Sequence, residues 1–332
     1  MNAAPARPRV LVARAVFADV LSRLREHFEV TDNQADEVWA QAQLIERLHG
    51  CAGVFVTGTE SIDAALLQAC PELRAVCSMA VGYNNIDLQA CTRRGVLVSN
   101  APDVLTETTA DFGFALMMAA ARRITESEHF LRAGRWQRWG HDQFAGADIH
   151  GAILGVLGMG RIGQAIARRG ASGFGMRVLY HNRSRLDAGI EAQLHAAYVS
   201  KEQLLRDSDH LMLVLPYSAA SHHAIGAAEL ALMKPTATLT NIARGGIVDD
   251  AALAAALRER RIAAAGLDVF EGEPALLPDL LGLPNVVLTP HIASASVPTR
   301  RAMAQLAADN LIAALTGGRP PTALNPQLLR RG

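Results

Sequence analysis

The chain has 332 residues, half of them apolar, with 32 Lys plus Arg balanced by 32 Asp plus Glu. That length allows two domains with cores of their own, and the neutral balance argues against nucleic acid or an anionic membrane as a main partner. The longest apolar runs, such as residues 112–121, fall short of a membrane span, and MNAAPARPRVLV has no apolar core or cleavage pattern, so the cytoplasm is the default location. Cys51, Cys70, Cys77 and Cys91 lie in the first third without C-x-x-C or Cys/His ligand spacing. They read as reduced thiols of core or surface, and no metal site is expected.

In chain order, residues 10–13, 54–57, 73–77 and 96–99 are short apolar or β-branched runs separated by helix-like segments, the alternation of a parallel α/β unit. The helix expected over 61–70 starts near Ser61 and Asp63 and stops at Pro71. MAVGYNNID at 79–87 is then a polar turn behind a strand, where ligands sit in parallel sheets, although an ordinary turn reads the same way. Pro102 marks a boundary. Residues 106–123 read as a long helix, with Glu107 and Asp111 early and Arg122 and Arg123 late, as the macrodipole favours. Its middle, FGFALMMAAA, is apolar on nearly every face, and the irregular segment 134–150 carries Trp136, Trp139 and Phe144. Such a helix needs cover from its own domain and from a partner subunit, so a homodimer is expected.

The next motif is GMGRIG, Gly158, Met159, Gly160, Arg161, Ile162 and Gly163, between the apolar run 153–157 and a helix. Strand, tight turn and helix with G-x-G-x-x-G form a dinucleotide fingerprint, in which helix N-terminal amides face the pyrophosphate. An acidic residue roughly 20 positions on would hold the ribose 2′-hydroxyl of NAD. This chain instead has Asn182, Arg183, Ser184 and Arg185. A guanidinium binds a 2′-phosphate that a carboxylate would repel, so NADP(H) is preferred and NAD(H) is the second choice. The bland alternative is a solvated basic turn. Further strands are expected at 210–215, 237–241, 264–268 and 286–289, with helices at 250–258 and 297–316, giving a doubly wound domain.

Three strand-end segments carry reactive groups: NIARGGIVDD with Arg244, GLDVFEGEP with Asp268 and Glu273, and LTPHIASAS with His291. Reducing a ketone by hydride needs a proton donor to the forming alkoxide and a cation to polarise the carbonyl. A histidine held by a carboxylate, and an arginine, fill those needs. Taken singly each has a bland reading; the joint spacing at strand ends favours the catalytic one.

These motifs resemble the D-isomer-specific 2-hydroxyacid dehydrogenase family over essentially the whole chain. R-G-x-x-V-D, D-V-F-x-x-E-P and T-P-H-I match its catalytic contexts, so the resemblance assigns catalysis to Arg244, Glu273 and His291. V-G-Y-x-N, T-E-T-x-A-D and the closing N-P are similar to the bacterial glyoxylate/hydroxypyruvate reductases of the 2-ketogluconate reductase type. The resemblance further implies that the amides of Val81 and Gly82, with Arg244, bind the substrate carboxylate, and that Asp268 orients the nicotinamide carboxamide. It implies two doubly wound parallel-sheet domains: a flavodoxin-like substrate-binding and catalytic domain at 1–102 plus 297–332, and a Rossmann cofactor domain at 103–296. The expected activity is NAD(P)H-dependent reduction of small 2-oxo acids, namely glyoxylate, hydroxypyruvate or 2-ketogluconate, to D-2-hydroxy acids, with a loop tryptophan, Trp139 ahead of Trp136, reaching the partner's active site. Ala80 and Asn84 depart from the usual serine and aspartate beside the substrate loop. The rival reading is a dinucleotide-sensing binding protein of the corepressor kind.

Overall fold

The computed structural model of the chain describes residues 6–330. It divides into two compact units, one running to Leu105 and resuming at Ala295, the other spanning Thr106–Ser294.

The first unit is built on strands β1 (Arg9–Val12), β2 (Glu29–Asp32), β3 (Gly53–Val56), β4 (Ala75–Ser78) and β5 (Leu97–Ser99). They pair in parallel in the order β2-β1-β3-β4-β5, the flavodoxin-like order with its reversal between β1 and β3. Every residue of β3 and β4 is buried, as expected of central parallel strands covered on both faces. Helix Val297–Thr316 packs on β3 and β4. It lies so close that a Cβ on Gly53 would stand 2.7 Å from the Leu311 side chain. Strand β2 was not foreseen: its EVTD is an edge strand with exposed Glu29 and Thr31, so it lacks the apolar run that marks a central strand. The expected helix at 61–70 begins later, at Ala64, because the Asp63 carboxylate accepts from the Leu66 amide at 2.8 Å and so makes Asp63 the cap. The proline-rich C-terminal segment is part of this unit. Asn325 accepts from the Val98 amide at 2.9 Å and donates to the Val96 carbonyl at 2.9 Å, which covers the free edge of β5. All four cysteines are buried, so none is a surface thiol.

The second unit holds β6 (Ile153–Leu157), β7 (Arg177–His181), β8 (Ala196–Tyr198), β9 (His210–Leu213), β10 (Thr238–Asn241), β11 (Ala264–Leu267) and β12 (Val286–Leu288). Their order, β12-β11-β10-β9-β6-β7-β8, is parallel throughout and reverses between β6 and β9, the Rossmann arrangement with one strand added. Only the short edge strand β8, sequence AAY, escaped the sequence reading. Helix Thr106–Ala121 packs on β10, β11 and helix Arg161–Arg168. It stops before the expected end because Arg123 takes a left-handed φ of 54°, and a new helix, Ile124–Arg132, starts there. That second helix buries none of its residues. With the loop after it, it exposes Ile124, Leu131, Trp136 and Trp139, the last at 77%. No helix among the described residues is long and apolar enough to cross a membrane.

Candidate active site

The glycine motif forms the turn between β6 and helix Arg161–Arg168. Gly158 has φ 103°, a conformation that L side chains rarely adopt. A Cβ on Gly163 would lie 2.4 Å from the Gly158 carbonyl oxygen, so the helix can approach the strand only with glycine there. Gly160 differs: nothing stands within 4 Å of where its Cβ would be. Open space in front of that backbone, at a helix N-terminus, fits a dinucleotide pyrophosphate.

Residues 182–185 follow β7 directly. Asn182 is spent within the protein: its Oδ1 accepts from the Met159 amide at 2.7 Å and ties the end of β7 to the glycine turn. Arg183 and Ser184 are exposed. Arg183 has no hydrogen bond or ion pair among the described residues, whereas Arg185 donates to both oxygens of Glu191, at 2.9 and 2.8 Å. The same carboxylate accepts from the buried Tyr180 hydroxyl at 2.7 Å. Both the hydrogen bond from Arg185 and that from Tyr180 pull the Glu191 carboxyl below its ordinary range. Of the two arginines expected at a 2′-phosphate, Arg185 is thus paired with Glu191, six residues on, while Arg183 is not paired among the described residues. No sequence signal distinguishes Glu191 from an ordinary helical glutamate.

The reactive groups meet at the C-terminal ends of β10, β11 and β12. Arg244 lies in the loop after β10, half-buried, with Nη1 donating to the Ala243 carbonyl at 2.7 Å. Burial pulls its pKa below the ordinary arginine range, and the charge of Glu273 acts in the opposite sense. The loop after β11 presses on it: a Cβ on Gly245 would come within 1.8 Å of the Phe270 carbonyl oxygen. That loop also presents Glu273, whose Oε1 is 2.6 Å from His291 Nδ1. Burial pushes the Glu273 carboxyl up, but the hydrogen bond and charge of His291 outweigh it and leave the carboxyl below its ordinary value. Since a carboxylate only accepts, Nδ1 carries the shared proton and Nε2 is the nitrogen left for a substrate.

His291 itself has φ 53°, an unfavourable conformation for a non-glycine residue. Asp268 enforces it. Fully buried at the end of β11, its carboxylate accepts from Thr289 Oγ1 at 2.7 Å and from the amides of Ile292 and Ala293 at 2.8 Å each. Its carbonyl takes the His291 amide at 2.8 Å. Burial pushes the Asp268 carboxyl up, against these hydrogen bonds. Fully buried, the Asp268 carboxylate positions the turn that bears His291, and Oδ2, with a single hydrogen bond from Ala293, keeps acceptor capacity for the carboxamide that the resemblance assigns to it.

Val81 and Gly82 belong to the other unit, in the loop after β4. The Val81 carbonyl accepts from Asn100 Nδ2 at 2.7 Å, which fixes the peptide. Among the described residues no acceptor takes the amides of Val81 and Gly82.

A family model, D-isomer specific 2-hydroxyacid dehydrogenase, NAD binding domain, matches residues 114–293. The glyoxylate reductases of Thermococcus gammatolerans and Korarchaeum cryptofilum are 45% and 47% identical to the chain, over 98% of it and 98% of each of them. Among solved structures, the chain is similar to the NADPH-dependent glyoxylate/hydroxypyruvate reductase from Sinorhizobium meliloti in complex with NADP and malonate. The TM-score is 0.87 at 37% identity, covering 98% of this chain and 99% of that one. The chain belongs to the D-isomer-specific 2-hydroxyacid dehydrogenase family.

Proposed function

We propose that the protein is an NADPH-preferring reductase of small 2-oxo acids, with glyoxylate and hydroxypyruvate as substrates and D-2-hydroxy acids as products. The observation that carries this reading is the His291–Glu273 pair at 2.6 Å, in the same unit as Arg244 and the glycine turn. A bound nicotinamide supplies the hydride. The remaining work falls to the chain. Glu273 holds the His291 ring by Nδ1, and Nε2 gives its proton to the oxygen of the former carbonyl. The Arg244 guanidinium offers a fixed positive charge that polarises the carbonyl and pairs with the substrate carboxylate. On the first unit, the uncommitted amides of Val81 and Gly82 are of the kind that binds a carboxylate. Arg183 is the residue suited to a 2′-phosphate, and the relative named with NADP supports that cofactor for this chain. 2-Ketogluconate is the third candidate substrate. The exposed Ile124, Leu131, Trp136 and Trp139 support a homodimer, and Trp139, the most exposed, is the loop tryptophan suited to the partner's active site.

The test is a panel of glyoxylate, hydroxypyruvate and 2-ketogluconate, each with NADPH and with NADH, read as kcat/KM. Turnover of the first two with NADPH ahead of NADH is expected. Dinucleotide binding without turnover of any of them would favour the sensing protein instead.

A further inference from the structure

A second cluster of chemistry-bearing side chains lies on the second unit and takes no part in the proposed reduction. His222, His223 and Glu271 each offer one ligand atom, and these atoms lie within 4.8 Å of one another. The adjacent histidines would ordinarily diverge. Here His223 takes a left-handed φ of 49°, which brings the two rings face to face at 3.9 Å with an interplanar angle of 22°. The backbone that does this is anchored: the His223 amide donates to the Gly246 carbonyl at 2.7 Å, and the Ile225 amide to that of Ile247 at 3.1 Å. The third group is anchored just beyond that loop, since the Glu271 amide donates at 3.0 Å to Oδ2 of Asp250, the first residue of the next helix. Its carboxylate already meets His223 Nε2 at 2.9 Å. On the other side, the Tyr217 hydroxyl lies 3.2 Å from His222 Nδ1, which leaves Nε2 of that ring for a ligand. Such an outer partner is what a metal-bound imidazole requires.

We propose that His222, His223 and Glu271 form a site for one divalent transition-metal cation, with zinc as the reference ion, two imidazole nitrogens and one carboxylate oxygen as protein ligands, and water in the fourth position. Nitrogen ligands select zinc, nickel and copper over magnesium and calcium, which take oxygen. In a tetrahedral site with bonds of about 2.0–2.2 Å the ligand atoms stand roughly 3.3 Å apart. Reaching that spacing from the present one requires the exposed side chains to rotate and the two imidazoles to turn out of their stack so that their lone pairs converge. Asp249 and Asp250 are near enough to act on His223 electrostatically and add negative potential for a cation.

The test is titration of the full-length protein with zinc by calorimetry, together with the visible absorption of bound cobalt. The expected result is one saturable equivalent of zinc and a tetrahedral cobalt spectrum, with no response to magnesium. Binding should weaken at least about tenfold in His222→Ala, His223→Asn and Glu271→Gln, since losing a ligand costs no less than losing an outer partner. Asparagine tolerates the left-handed backbone at 223, so that variant keeps the loop. His291→Ala separates this site from the His291–Glu273 pair and should retain the tight equivalent. Unchanged zinc binding in the three variants, verified as folded by circular dichroism, or loss of the tight equivalent in His291→Ala, would overturn the proposal.

Discussion

A carboxylate 2.6 Å from Nδ1 decides which end of His291 can do chemistry. His291→Ala should lose roughly 10² to 10⁴ in kcat, with dinucleotide affinity nearly unchanged, because general acid catalysis is lost and binding is not. The pH dependence follows from Glu273, whose folded pKa lies below its ordinary 4.5. For an acid with a depressed folded pKa, the pairing is complete above the ordinary value and is lost as pH falls through the folded one. The acid limb of kcat set by this pair should therefore lie below pH 4.5, and in Glu273→Gln that limb should vanish while kcat drops. A limb that persists unmoved in Glu273→Gln would assign it to another group. The two arginines after β7 separate in the same way. Arg183→Ala should lose on the order of tenfold in NADPH over NADH specificity, the scale of one charge-assisted contact of about 1.5–3 kcal/mol. Arg185→Ala should show first as a lower melting temperature, because it strips the charged partner from Glu191, which is only 8% exposed and keeps only the Tyr180 hydroxyl. Equal cofactor discrimination in the parent and Arg183→Ala would count against the phosphate role.

The glycine turn shows how one element serves both folding and binding. At Gly163 an added methyl meets the Gly158 carbonyl at 2.4 Å, a backbone atom that cannot rotate away, whereas at Gly160 it meets nothing within 4 Å. Gly163→Ala should therefore cost about 1–3 kcal/mol of stability, the usual penalty of overpacking. Gly160→Ala should leave the melting temperature in place and raise the dinucleotide Kd severalfold, since the methyl enters only the space in front of the turn. Thermal melts and fluorescence titrations with NADPH separate the two. A Gly160→Ala enzyme that binds NADPH like its parent would place the pyrophosphate elsewhere. The turn after β12 is the counterpart at His291. There the left-handed His291 is held by three hydrogen bonds to the Asp268 carboxylate, so the strand end supplies the location and a buried acid supplies the conformation.

At the scale of the whole molecule, helix Ile124–Arg132 has no fully buried residue, and Ile124, Leu131, Trp136 and Trp139 on it and after it are exposed. Light scattering at micromolar concentration should give a dimer, and the paired change Leu131→Asp with Trp139→Arg should give a monomer that keeps its melting profile near neutral pH. A monomeric parent would remove the case for that interface. Much of the architecture could be read from the sequence, because buried parallel strands such as β3 and β4 must be continuous apolar runs and the G-x-G-x-x-G spacing has few uses. Edge strands β2 and β8 could not, since one exposed side dilutes the pattern. Arg244, Glu273 and His291 were legible as residue types at strand ends and by resemblance, and the Glu273–His291 pairing was expected from the chemistry, but the nitrogen that carries it was not. The sequence by itself determined the two sheets, the turn for a dinucleotide and the chemical groups at their rims, because periodicity and local backbone chemistry act over a few residues. Only the tertiary structure decided that Asp268 is buried beneath the His291 turn, that Glu191 claims Arg185, and that His223 faces Glu271. Those pairings join positions from 6 to 48 residues apart whose side chains meet only after the strands have been placed.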